Sequence, residues 1–194
     1  LTTLYNMSNC LIYAPAFLDK IKDQNKKKSP ECFNKIDFES IISRKTIEID
    51  NIKFKPFPTL HDTIDSVAYL VDYETLKFGY VTDTGKYPEF LLENFLDRNI
   101  IFMEANYEVD FLDQSSLYST ELKDRIRGGF GHCSNAQAST AIDYILNNTT
   151  TKIKSITLGH MSTRNNTESL VLKNIYDAVV NNTDIKFNIL KEHD

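Results

Sequence analysis

Residues 77–103 read KFGYVTDTGKYPEFLLENFLDRNIIFM, and the change of hydrophobic period inside this stretch decides the fold. Residues 77–81 have the pattern of a short strand. Past Asp83 the spacing lengthens: Phe90, Leu91, Phe95 and Leu96 recur one turn apart behind Pro88, a residue suited to the start of a helix. Residues 100–103 are again a short apolar run, so the order is strand, helix, strand. Upstream the period is two. Ile47, Ile49, Ile52, Phe54 and Phe57 alternate with polar residues around an Asp50-Asn51 turn, and residues 67–73 read as a further strand. Downstream, residues 119–127 form a polar amphipathic stretch that stops at Gly128-Gly129, and Asn135 is placed to cap a helix running to about residue 147. A strand at 153–158, a helix at 167–180 and a last strand at 185–190 complete the pattern. Antiparallel strands followed by alternating strand and helix predict a layered α/β fold with helices outside packed sheets.

The N-terminal part predicts a helix end at residues 2–7, a buried strand at 11–14 and a helix from Pro15 to about Asn25. Lys26, Lys27 and Lys28 follow as a solvated loop tip. The chain opens on Leu1, without the basic and apolar regions of a signal peptide, and reads as if it begins inside a domain. With 194 residues, 41% of them hydrophobic and 25% charged, it has the composition of one globular domain able to bury a core without disulfide or metal staples. No apolar run approaches the roughly 18 residues of a membrane span. The net charge of −5 supplies no general attraction for polyanions, so a nucleic-acid partner has to be met by a local basic patch. Cys10, Cys32 and Cys133 are odd in number and share no CxxC spacing, which reads as reduced thiols in a cytoplasmic protein.

Of the four histidines, His193 lies in the C-terminal tail. The other three stand where a strand pattern has just ended or where glycine tightens the chain: His61 after Phe57-Pro58-Thr59-Leu60, His132 in Gly128-Gly129-Phe130-Gly131-His132, and His160 after Ile156-Thr157-Leu158-Gly159. Asp83 follows Val81-Thr82 in the same way. In layered α/β proteins the carboxyl ends of strands converge on one edge, where ligands bind. One histidine so placed is commonly a hydrogen-bonded structural residue. Three together with an aspartate form a donor set of imidazole nitrogen and carboxylate oxygen, suited to zinc or manganese, and a carboxylate between two ions can bridge them.

The strings Val81-Thr82-Asp83-Thr84-Gly85, Glu104-Ala105-Asn106-Tyr107, Arg125-Ile126-Arg127-Gly128-Gly129-Phe130-Gly131-His132-Cys133-Ser134-Asn135 and Leu158-Gly159-His160-Met161-Ser162-Thr163-Arg164-Asn165-Asn166 resemble the metallo-β-lactamase-fold hydrolases. Within these they are most similar to the bacterial WalJ (YycJ) branch related to ribonuclease Z. The resemblance implies an αββα sandwich, here lacking its first N-terminal part, with residues 1–194 forming a single domain. It implies two divalent metal ions, zinc or manganese, at one sheet edge. His61 resembles a ligand of one ion, Asp83 the bridging aspartate and His160 a ligand of the other. His132 matches a histidine implicated in proton transfer at the scissile phosphate, Ser134 and Asn135 stand where backbone N–H groups at a helix start can hold a phosphate oxygen, and Asn165-Asn166 match a loop-positioning signature. Arg125, Arg127 and Arg164 offer positive charge to a polyanion, with surface pairing to Glu121 and Asp124 as the alternative for Arg125.

The His-x-His-x-Asp-His hallmark of that superfamily is absent from these 194 residues. The succession from Leu1 to Ala14 fits the region that follows the hallmark, and the sequence therefore reads as starting just after it. The function implied is a metal-dependent phosphodiesterase or nuclease resembling a DNA exonuclease, with a nucleic-acid or nucleotide substrate, no membrane, and association with either another copy or the missing N-terminal part. The alternatives are hydrolysis of a cyclic nucleotide or other small phosphodiester, and a non-catalytic, partner-binding fragment. Thioester or β-lactam hydrolysis fits the Gly131-His132-Cys133-Ser134-Asn135 element less well. A Cys133 nucleophile is disfavoured because adjacent residues point apart and no third orienting group is evident.

Overall fold

The computed structural model describes residues 12–15 and 38–190. Pro15, expected to open a helix, instead closes a strand, and the helix end expected at 2–7, the rest of the 15–25 helix, the lysine-rich tip, Cys10, Cys32 and His193 lie outside the described residues. Two strands, β1 (Ile12–Pro15) and β2 (Phe38–Ile41), pair in parallel as a small sheet. Seven more form the main sheet: β3 (Ile47–Ile49), β4 (Ile52–Pro58), β5 (Val67–Tyr73), β6 (Leu76–Val81), β7 (Ile100–Glu104), β8 (Ser155–Gly159) and β9 (Lys186–Ile189), side by side in chain order. Asp50 and Asn51 both adopt left-handed backbone, with φ of 48° and 67°, which is the two-residue hairpin turn that lets β3 and β4 keep their twist.

The direction of the strands builds the site. From β3 to β6 neighbours are antiparallel, and from β6 to β9 they are parallel. Strands β4, β6, β7 and β8 consequently all point the same way, and the residues that follow them collect along one edge. Parallel neighbours need crossovers. These are supplied by α1 (Glu89–Leu92, continued as a 3₁₀ turn), then α2 (Val109–Gln114), α3 (Thr120–Arg127) and α4 (Asn135–Asn148), and finally α5 (Glu168–Asn174) and α6 (Tyr176–Asn181).

Period-two alternation sends Ala68, Leu70, Val81, Ile101, Met103, Ile156 and Leu158 to one face, where they are buried with Leu91, Phe95, Ile142, Ile145, Val171 and Ile175 of the helical layer. The opposite face carries half-buried Tyr69, Val71, Phe78 and Tyr80, with Tyr80 stacked on Phe102 at 4.9 Å. Against it stands the β1–β2 pair, whose Tyr13 and Ile41 line a cavity of about 370 Å³ together with Ile47, Phe54, Tyr69 and Tyr80. The described residues thus supply helix, sheet and sheet of the expected αββα sandwich. No helix among them is long and apolar enough to cross a membrane.

Four elements differ from expectation. The helix predicted over 167–180 is two helices meeting at Ile175, where φ is −101° and ψ 10°. There the Asn174 carbonyl accepts a hydrogen bond from Ser139 of α4, and Ile175 turns fully into the core. The cap of α4 is Ser134, not Asn135: its hydroxyl accepts from the Gln137 N–H while the Gln137 side chain accepts from the Ser134 N–H, a complete capping box. Helix α2 and strand β2 have no counterpart in the predicted pattern. In α2 a single residue, Leu112, is buried, too few for a period to register.

Candidate metal centre

The loop after β4 is tied to the loop after β6 by two hydrogen bonds, Gly85 N–H to the Leu60 carbonyl at 2.7 Å and Leu60 N–H to Thr84 Oγ1 at 3.3 Å. That places His61 beside Asp83. His61 Nδ1 lies 2.8 Å from the Gly131 carbonyl, which can only accept, so this nitrogen carries the proton and Nε2 bears the lone pair. Nε2 faces Asp83 Oδ1 at 3.5 Å. From the other side His160 Nε2 approaches the same oxygen at 3.8 Å, and His132 Nδ1 stands 3.9 Å from it. The three rings form a row with centroid separations of 5.0 and 5.4 Å.

Asp83 and His160 both adopt left-handed backbone, φ 53° and 54°. For side-chain-bearing residues this conformation is uncommon and persists where the surroundings enforce it. Asn106 holds one of the two, its amide donating to the His160 carbonyl at 2.8 Å. Close backbone approach holds the third histidine. A Cβ on Gly131 would lie 2.2 Å from the carbonyl oxygens of Arg125 and Ile126, so only glycine lets the chain fold back tightly enough to present His132.

Glu104, at the end of β7, is fully buried and organises the rim. Its Oε1 accepts from His132 Nδ1 at 2.8 Å and from the Cys133 N–H at 3.3 Å; its Oε2 accepts from the Thr84 N–H at 3.3 Å and lies 3.4 Å from His160 Nδ1. Burial pushes the Glu104 carboxyl up, but the hydrogen bonds and charges of His132 and His160 outweigh it and hold the group below its ordinary range. An anionic Glu104 keeps the proton of His132 on Nδ1 and leaves Nε2 for chemistry. Glu104 has no role in the sequence-based expectation. Its signal is an acidic residue closing an otherwise apolar strand, IIFME.

His61, Asp83, His132 and His160 share the wall of one cavity of about 550 Å³. Ser134 and Asn135 do not reach it. Both are buried, Ser134 N–H is taken by Gln137, Asn135 N–H by the Tyr107 carbonyl, and the Asn135 amide donates to Glu108 and Asn166. The expected phosphate cradle is therefore sealed by the helix's own cap. Asn166 completes a reciprocal pair with Asn135 and donates to the Ala105 carbonyl, which fastens the loop after β8 to the end of β7. Arg125 pairs with Asp62 rather than with Glu121 or Asp124, and its guanidinium holds the Asp62 carboxyl below the usual range. Arg127 pairs with Asp113 and Asp124. Cys133 is buried, and burial, reinforced by Glu104, pushes its thiol far above the ordinary range, which removes it as a nucleophile.

The donor set suits a divalent cation. Asp83 Oδ1 stands from the two Nε2 atoms at separations too wide for hydrogen bonds, and two ligand atoms bound to one zinc at about 2.0–2.2 Å lie roughly 3.3–3.6 Å apart. His61, with a carbonyl on its second nitrogen, and His160, with Glu104 beside its own, have the outer partners usual for metal-binding imidazoles.

A mixed sheet with helices on one face, a second sheet on the other and a histidine–aspartate cluster at the strand ends defines a metallo-β-lactamase fold. Solved structures agree. YhfI from Bacillus subtilis, a metallo-β-lactamase fold protein, superposes with a TM-score of 0.61 at 14% identity, covering 93% of this chain and 61% of YhfI. Zn²⁺-bound PqqB from Methylobacterium extorquens superposes with a TM-score of 0.67 at 13% identity, covering 98% of this chain and 66% of PqqB. No protein-family model matches the chain. In sequence it is WalJ-like: it is 32% identical over 126 residues to exodeoxyribonuclease WalJ of Streptococcus pneumoniae, a match covering 65% of this chain and 45% of WalJ. The chain thus spans under half the length of this curated relative.

Proposed function

We propose that the chain forms part of a metal-dependent phosphodiesterase that cuts nucleic acid in the manner of a DNA exonuclease, and that residues 1–194 belong to one metallo-β-lactamase-like domain. One observation carries the reading: the Nε2 atoms of His61 and His160 face a single oxygen of Asp83 from opposite loops. Similarity to WalJ, named as an exodeoxyribonuclease, supports the substrate class. In this reading His61, Asp83 and His160 would hold divalent ions, zinc or manganese being suited to the mixed nitrogen and oxygen donors. Two such ions, when bound, supply polarisation of a phosphoryl oxygen and acidification of the attacking water.

His132 is the proton donor. Its Nδ1–H is held by Glu104 at 2.8 Å, so a proton on Nε2 is delivered to the leaving oxygen while the buried carboxylate stabilises the imidazolium. His160 and Asp83 gain fixed directions from their left-handed backbone, which limits the reorganisation required when substrate arrives. The odd cysteine count and the buried, free Cys133 support a cytoplasmic protein.

The test is hydrolysis of end-labelled DNA by the native protein supplied with zinc or manganese, beside an Asp83→Asn variant. Stepwise release of nucleotides that disappears in the variant and after chelation is the expected result. Binding should weaken steeply with salt, as many phosphate contacts require, whereas a shallow dependence would mark a small phosphodiester as substrate. Metal-loaded native protein that leaves both DNA and bis-p-nitrophenyl phosphate intact would overturn the proposal.

A further inference from the structure

Leu122 and Ile126 are one turn apart on α3 and so share one side of it, with Tyr118 just ahead of the Ser119 cap. A stripe of this kind ordinarily packs into the core. Here no residue of α3 is buried, and Leu122 is 36% exposed. All three residues instead line the 550 Å³ cavity whose wall also contains His61, Asp83, His132 and His160. The helix is tied down by Arg125 to Asp62 at the cavity wall, Arg127 to Asp113, and Lys123 Nζ to the Asp113 carbonyl. Those ties fix α3 beside the cavity.

A ligand that fills this space has to be charged and oxygen-rich at one end and flat and apolar at the other. A nucleotide has that division. We propose that Tyr118, with Leu122 and Ile126, forms a stacking wall for the base next to the scissile phosphate. The substrate end of the proposal rests on the phosphodiesterase reading above. Arg125, the one lysine or arginine among the described residues lining the cavity, is paired with Asp62, so this wall acts by stacking and exclusion of water rather than by gripping phosphate. Stacking uses the π-face common to all bases, and the wall therefore tolerates sequence while demanding a base.

The test compares a short single-stranded DNA with the same strand carrying an abasic tetrahydrofuran at its terminal nucleotides. Binding to native metal-loaded protein is followed by fluorescence anisotropy. The intact strand should bind roughly 5- to 150-fold more tightly, the range expected of one stacked base. Tyr118→Ala should abolish that preference and leave abasic affinity unchanged, Tyr118→Phe should keep it, and Leu122→Ser should reduce it. Circular dichroism checks folding, and Leu122→Ser decides the matter if Tyr118→Ala is unfolded. Equal affinity of the wild type for both strands, no binding of either, a preference that persists in the folded alanine variant, or one undiminished in the folded serine variant overturns the wall. Hydrolysis of the same strands separates the two ideas: base-dependent binding lost in Tyr118→Ala without bond cleavage in the wild type supports the wall and sinks the phosphodiesterase reading.

Discussion

Replacing Glu104 with glutamine keeps the shape of a fully buried side chain and removes its charge. Each carboxylate oxygen faces two donors: His132 Nδ1 and the Cys133 N–H on one side, the Thr84 N–H and His160 Nδ1 on the other. Whichever way the amide settles, its NH₂ confronts one backbone N–H that has no alternative acceptor role. A buried donor left unsatisfied costs about 1–3 kcal/mol, and loss of a charge-assisted bond such as that at 2.8 Å costs about 1.5–3 kcal/mol more. The sum, about 2.5–6 kcal/mol, is a large share of the roughly 5–15 kcal/mol that holds a domain together. An imidazole facing the new NH₂ can switch tautomer and accept, but the switch moves its proton to Nε2, the atom turned toward the metal or the leaving group. Metal affinity should therefore fall about 10- to 100-fold, as outer-sphere substitutions typically do. Urea unfolding of the apo protein and competition with a zinc chelator measure the two effects separately. A stability loss below about 1 kcal/mol with unchanged metal affinity would refute the assignment of Glu104 as the organiser of the rim.

Gly131→Ala puts a methyl group 2.2 Å from two backbone carbonyl oxygens and displaces the carbonyl that holds His61. It should cost at least about 1–3 kcal/mol and weaken metal binding; a thermal midpoint equal to that of the wild type would contradict the packing argument. Ser134→Ala removes the α4 cap and should lower stability by about 1 kcal/mol, with chelator competition showing unchanged metal affinity because Ser134 lies outside the cavity. Burial raises the Asp97 carboxyl, but hydrogen bonds from Arg98 and Lys77 overcome this and hold it below its ordinary value. Its stabilising contribution is thus complete above the unfolded value of about 4 and is lost as pH falls through the folded one. Arg98→Met should flatten that acid loss, read as urea midpoints at pH 6 and pH 3, and parallel losses in both proteins would speak against it.

Much of the fold is legible in residue pattern. Residues 67–73 match β5 to the residue, and the Asp50-Asn51 turn is where two left-handed residues are required. Position after a strand also singles out His61, Asp83 and His160, because β4, β6 and β8 point the same way. The phosphate cradle at Ser134 and Asn135 is the instructive failure. A helix start binds an anion only while its N–H groups are free, and the Ser134-Asn135-Ala136-Gln137 spacing already describes a capping box that closes it. Helix 167–180 reads as continuous since nothing local reports that a Ser139 hydroxyl will engage the Asn174 carbonyl.

Local periodicity and donor chemistry, both short-range properties, were set by the order of amino acids alone: which segments are strands, and that imidazoles and a carboxylate follow them. Which nitrogen of each histidine meets a partner was decided only when the chain closed on itself. That choice depends on the Gly131 carbonyl, 70 residues from His61, and on a glutamate 28 residues before His132, brought within hydrogen-bonding distance by the common direction of the strands and by a glycine that lets backbones touch.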